Sequence, residues 1–275
     1  MQPHGCASKT PRQGDGRASA AGEDLAGRFR LILVSVLGLL VTIGAVVLAH
    51  VAPFPFLFDV TDETVWRMPR TATPTVYLTF DDGPNPEATP QLLDVLARHG
   101  VRATFFVIDK HLTPETAPIV RRTFEEGHAV GVHWHSRDLM FRGPLYVART
   151  LQEAAARMEV LTGHGACRAF RPHGGNRSIP MIQGAGKAGY LVVGWGWMLW
   201  DFNWFRKRNA DDLVPRLADH ASPGDIIVIH DGHHENPRSD RRYAIETVDR
   251  LIPKLREKGF EFGTICPSPY GSAKT

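Results

Sequence analysis

From Thr75 onward the chain repeats one unit: an apolar strand, a polar loop, an amphipathic helix, then glycine and the next strand. Short apolar runs predict strands at 76–80, 101–108, 129–133, 168–170, 190–194, 225–229 and 260–265. Segments of helical period between them predict helices near 88–99, 114–126, 144–162, 178–188, 210–221 and 241–258. Gly100, Gly127, Gly163, Gly189 and Gly259 each fall just past a helix, where a left-handed cap residue is needed. Pro90, Pro114 and Pro144 sit near helix starts, where a missing N–H costs nothing. Such alternation implies parallel strands with helices outside. An open doubly wound sheet and a closed barrel both satisfy it; the barrel is favoured because no glycine-rich phosphate fingerprint opens the first helix.

The first strand stops on two adjacent carboxylates in "VYLTFDDGPNP", residues 76–86. Val76, Leu78 and Phe80 alternate with Tyr77, Thr79 and Asp81, so Asp81 points to the other face, while Asp82 falls where Gly83 and Pro84 turn the chain. Both lie at the carboxyl end of the strand, where β/α barrels do chemistry. His133 follows the third strand, Arg171 the fourth, Asp201 shortly the fifth and His230 the sixth. Any one of these is an ordinary loop residue; together they bring reactive side chains to one rim.

In order and spacing, "TFDDGP" at 79–84, "GHAVGVHWHSRDL" at 127–139, "FRPHGG" at 170–175, "WDFNW" at 200–204 and "IIVIHDG" at 226–232 resemble the five motifs of the polysaccharide deacetylases, carbohydrate esterase family 4, also called NodB-homology domains. The resemblance covers about residues 74–267. It implies a distorted (β/α)7 barrel and metal-assisted removal of an acetyl group from an N-acetylated sugar.

Amide hydrolysis near neutral pH needs an activated water, a group that stabilises the oxyanion, and an acid for the leaving amine. A divalent metal serves the first two. The resemblance implies Asp81 as general base, Asp82 and His133 as metal ligands and His230 as general acid. By the same resemblance Arg171 holds Asp81 and Asp201 orients His230. Adjacent carboxylates can divide these tasks because coordination keeps one ionised while the other stays free to take a proton.

Two motifs depart from the family pattern. A second histidine normally stands four residues after the first in the second motif, and here that position is Arg137. His135 is the nearest substitute: in an extended segment residues i and i+2 face alike, so His133 and His135 with Asp82 would suit Zn²⁺, with Co²⁺ as the alternative. The third motif has His173 and Gly174 where an aromatic wall is usual. His173, Trp200 and Trp204 are expected to touch substrate, while His233, His234 and Glu235 read as a solvated loop, with a further metal site as the alternative. The expected activity is deacetylation of an amino sugar in a cell-envelope polysaccharide or lipid-linked glycan. The alternatives are a catalytically weakened carbohydrate-binding protein on the same barrel and an O-acetyl esterase.

Ahead of this domain, residues 1–30 read as a flexible cytoplasmic tail, 31–52 as a transmembrane anchor and 53–73 as a linker; 268–275 form a C-terminal tail. Residues 31–49 carry no charge, and a helix of that length spans roughly 28 Å, close to a bilayer core. A cleaved signal peptide is the alternative. Arg12, Arg17, Arg28 and Arg30 precede the run and only Arg67 follows closely, which keeps the N-terminus inside and the domain outside. "PFPFLF" at 53–58 is expected to follow the membrane interface, and the segment from Trp204 to Arg208 either lines the groove or meets anionic headgroups. Cys167 and Cys266 read as separate buried side chains, with pairing as the alternative if the domain lies outside the cytoplasm. A formal net charge of +3 is too small to argue for nucleic acid.

Overall fold

The computed structural model describes residues 16–51, 64–202 and 208–266. Two compact units divide near residue 48. The first contains helix α1 (Gly16–Val51), which begins well inside the segment expected to be flexible. Its residues Gly27–Ala45, of mean hydropathy 1.9 and with none buried, are long and apolar enough to cross a membrane. A signal sequence has the same length and composition, so the helix alone does not separate anchor from leader. The "PFPFLF" segment lies outside the described residues.

The second unit is the expected alternation: β1 (Thr64–Val65), β2 (Thr75–Asp81), α2 (Ala88–His99), β3 (Thr104–Ile108), α3 (Ala117–Glu125), β4 (Ala129–His133), α4 (Pro144–Thr162), β5 (Ala169–Arg171), α5 (Ile179–Lys187), β6 (Leu191–Val193), α6 (Ala210–His220), β7 (Ile226–His230), α7 (Arg242–Glu257) and β8 (Glu261–Phe262). The strands run parallel in the order β1-β6-β5-β4-β3-β2-β7, with β8 added against β2. All five capping glycines have positive φ. Strand β1 was not expected, because two residues in a linker carry no period to read.

The two faces of the sheet have separate cores. Val76, Leu78 and Phe80 of β2 pack outward with the apolar stripes of α2, α6 and α7, in a layer that includes Leu93, Leu96, Leu217 and Leu251. Each such side chain contributes roughly 1.5–3 kcal/mol through burial. Tyr77 faces inward with Phe106, Ala129, Val193, Trp195 and Val228. A strand buried on both faces reads as a nearly continuous apolar run. That is why its two polar inward residues, Thr79 and Asp81, stand out.

The sheet curls until its edges meet irregularly. Past β6, Gly196 donates to the Ile226 carbonyl at 2.9 Å, Val228 to Leu199 at 2.9 Å, and Asp201 to Val228 at 3.2 Å. On the other side of the same gap Met68 donates to the Gly224 carbonyl at 2.8 Å. This closure delivers Asp201 to the end of β7.

Cys167 and Cys266 form a disulfide, with Cα atoms 6.2 Å apart, so the expectation of separate thiols is corrected. Their separation of 99 residues hid a spatial proximity that only the return of the chain through β8 creates. Cys167 precedes β5, so the bond ties the end of the sheet opposite the carboxylates.

Candidate active site and metal centre

Asp81 and His230 are register partners on adjacent strands β2 and β7. Asp82, one residue on, is 5% exposed and adopts φ 71°, which turns the chain sharply off the strand. Two glycines make room for this approach. A Cβ on Gly232 would overlap the Asp82 carbonyl, and one on Gly83 would strike the Asp231 carboxylate. The "DDGP" and "HDG" motifs are therefore mutually fitted, each glycine admitting the other's aspartate. Asp231 is buried and accepts a 2.5 Å bond from the Thr89 hydroxyl; burial pushes its carboxyl up to about 7, against that hydrogen bond.

Arg171 is fully buried beneath Asp81. Its guanidinium donates at 2.7 Å to both Asp81 Oδ1 and Thr79 Oγ1 and at 2.9 Å to the Gly194 carbonyl, and it lies 4.1 Å over the Phe106 ring. Such a saturated cation cannot swing away, so Asp81 is held in one orientation.

His230 is backed in the same manner. Its Nδ1–H donates to Asp201 Oδ1 at 2.6 Å and its backbone N–H to Oδ2 at 2.9 Å. The Tyr243 hydroxyl also donates to Oδ2, at 2.8 Å, and receives bonds from Arg208 and Arg241. Burial disfavours the charge on Asp201, but His230 outweighs it and holds the carboxyl below its usual range. For His230 burial acts downward, and the Asp201 charge and hydrogen bond overcome it, raising the imidazole to about 9. It is protonated at neutral pH.

Ligand-type atoms of Asp82, His133 and His173 all lie within 4.8 Å of one another. His133 Nδ1–H donates to the Arg171 carbonyl at 2.7 Å, which leaves Nε2 facing Asp82 Oδ1 at 3.2 Å. Burial opposes a charge on each partner; the His133 imidazole beside it holds Asp82 below its usual range, and the charges of Asp81 and Asp82 raise His133. His173 is pushed down to about 4, by burial and then by His133, so it is neutral and ready to ligate. Its Nδ1 is buried without a hydrogen-bond partner, as is Asp82 Oδ1. These orphaned acceptors fit a divalent cation. His111 Nδ1–H steadies the arrangement by donating to the Asp82 carbonyl at 3.2 Å.

His135 is not in this group, which corrects its expected place as third ligand. Strand β4 ends at His133 and the chain bends across His135–Arg137, so the extended geometry that would align residues 133 and 135 is lost. His173, expected to touch substrate, lies instead with Asp82 and His133 in the group that could hold a metal.

A profile of the family described as polysaccharide deacetylase matches residues 69–193. A chitooligosaccharide deacetylase of Sinorhizobium fredii is 37% identical over 201 residues, covering 70% of this chain and 92% of that protein. This chain belongs to the polysaccharide deacetylase family. A peptidoglycan-N-acetylglucosamine deacetylase of Bacillus cereus is 28% identical over 74% of this chain and 92% of its own. Among solved structures, a peptidoglycan N-acetylglucosamine deacetylase in complex with 4-naphthalen-1-yl-N-oxidanyl-benzamide superposes with TM-score 0.62 at 28% identity, covering 74% of this chain and 91% of that one. An acetyl xylan esterase of Clostridium thermocellum in complex with a cobalt ion gives TM-score 0.60 at 27% identity, over 70% and 88%. With a metal-holding triad at its centre, this deacetylase-family chain is a hydrolase of carbon–nitrogen bonds other than peptide bonds.

Around this deacetylase site the aromatic residues are partly placed. Trp200 stacks on Phe202 with ring centroids 5.2 Å apart, and Phe202 meets His230 edge-on at 6.2 Å. Trp204 lies outside the described residues, as does most of the basic run after it. His234, read from the sequence as solvated loop, has its ring 4.7 Å from His173. Sequence reasoning missed His111, Asp231 and Tyr243, whose partners lie far along the chain. The place of His173 did leave a signal: a histidine two residues past a strand end, in a chain whose second motif lacks one.

Proposed function

We propose that this polysaccharide deacetylase removes the N-acetyl group from an amino sugar of a cell-envelope polysaccharide or lipid-linked glycan. One observation carries the reading: an arginine-held carboxylate and an aspartate-backed imidazolium are register partners beside the metal group. When bound, a divalent cation polarises the acetyl carbonyl and acidifies a water. Asp81 keeps Oδ1 on Arg171 and takes the proton of the attacking water at Oδ2. His230, with Nδ1–H committed to Asp201, gives the proton on Nε2 to the departing amine. Two imidazoles and one carboxylate favour Zn²⁺, with Co²⁺ as the alternative. Trp200 and Phe202, stacked on each other, form one wall for the sugar.

Similarity to proteins named for chitooligosaccharide and peptidoglycan-N-acetylglucosamine deacetylation supports an amino-sugar substrate. The acetyl xylan esterase, equally similar in fold, supports a second reading, an O-acetyl esterase. We place the domain outside the cell, tethered by α1: arginines precede the apolar run, and a disulfide suits an oxidising compartment. Chelator-stripped full-length protein, reloaded with Zn²⁺ or Co²⁺, should release acetate from chitooligosaccharide or peptidoglycan only when metal is present. Acetate from acetyl xylan alone would replace the reading with the esterase. Glycan binding without release from any of these substrates would leave a binding protein.

A further inference from the structure

Past the active-site rim, the loop after β4 exposes large apolar side chains. Phe141 is 82% exposed and Leu145 78%, with Tyr146 at 49% and Ile179 at 47%. They belong to the 3-10 turn Asp138–Phe141, the first turn of α4 and the start of α5. These elements are tied together. Ser178 Oγ donates to the Met140 carbonyl at 2.8 Å, and Gly184 of α5 lies so close to the Pro144 carbonyl and Val147 that a Cβ would collide.

Arginines share this surface. The Arg142 guanidinium lies 5.0 Å from the centre of the Tyr146 ring, and Arg137 and Arg149 are exposed. None of the three forms an ion pair among the described residues. From Leu139 to Gln152 the sequence holds no acid; Asp138 is engaged by Trp134 Nε1–H at 2.8 Å and by the Ser136 hydroxyl, and Glu153 follows a turn after Arg149. Leucine and isoleucine offer nothing to a sugar hydroxyl, and three arginines have no counterpart on a neutral glycan. Aromatic and branched apolar groups ringed by arginine instead match an anionic bilayer interface.

The chain supplies the proximity. Residues 52–63, between α1 and β1, reach roughly 45 Å at full extension. With α1 in a bilayer, the domain stays within that reach of the membrane. We propose that the patch of Phe141, Arg142, Leu145, Tyr146, Arg149 and Ile179 docks on anionic phospholipid headgroups and holds the catalytic rim at the membrane. The docking rests on the anchor reading of α1, and it favours glycans presented at the bilayer as substrates.

The test uses the full chain in nanodiscs of phosphatidylcholine, with or without phosphatidylglycerol, read by hydrogen–deuterium exchange. Amides of residues 140–146 should exchange at least about fivefold more slowly with phosphatidylglycerol. Arg142→Glu with Arg149→Glu, and separately Phe141→Ser with Leu145→Ser, should erase the difference while circular dichroism stays unchanged. Equal exchange in both lipids, with the chain inserted, overturns the docking and leaves the anchor standing. Protection that follows added chitooligosaccharide instead of the anionic lipid also overturns it and makes the patch a glycan surface. Failure of the chain to remain with the discs overturns the anchor and the docking together.

Discussion

The turns after β4 and β5 begin alike and end differently. The strands close on register partners, His133 and Arg171, both buried and both serving the site. After β4 the chain bends at once, and His135 ends against the neighbouring Trp134 ring, 5.0 Å away. After β5, Pro172 leads into the 3-10 turn His173–Gly175, where Gly174 and Gly175 both have positive φ. That turn folds back and sets the His173 ring 6.2 Å from His133. A ligand set is thus decided by where a turn returns in space. One loop lost the expected histidine, and its neighbour on the rim provides one.

The largest effect expected at this pair of turns separates the rim from the carboxylates they face. Asp81→Asn should lower turnover by about 10³-fold or more while metal stays bound, since only the proton acceptor is lost. Asp82→Asn should lose the metal itself. Equal metal content and equal activity in the two variants would show that the adjacent carboxylates do not divide the work.

Next in size is the direct contest between the two histidines. His173→Ala should weaken Zn²⁺ binding by on the order of 100-fold or more, beyond the loss typical of a supporting residue, and His135→Ala should stay within about threefold. Metal competition titrations of the two proteins side by side read this. Reversed outcomes would return the third ligand to the β4 turn.

The smallest effect concerns the imidazole at the end of β7. His230 is raised to about 9 by Asp201 against burial, so a rate that needs its proton falls as pH rises toward that value. A bound cation offsets Asp82 and moves the fall somewhat lower. Asp201→Asn removes the raising charge and should shift the basic limb down toward the ordinary histidine value of about 6.5, with kcat reduced about fourfold at pH 7. An unmoved limb would assign the ionisation to another group.

Local rules written along the chain were enough for the alternation of strands and helices. Apolar period, the caps at Gly100, Gly127, Gly163, Gly189 and Gly259, and prolines at helix starts each act within a few residues, and the observed elements follow them closely. The same locality placed Asp81, Asp82, His133, Arg171, Asp201 and His230 at one rim, because a residue after a parallel strand has little freedom to be elsewhere. What depends on chain return was not legible. The Cys167–Cys266 bond, the short β1 and the pairing of His173 with Asp82 each join segments whose separation in sequence says nothing of their distance. Those contacts exist only once the sheet has curled, since curvature and register are set by the packing of both faces at once and not by any single segment.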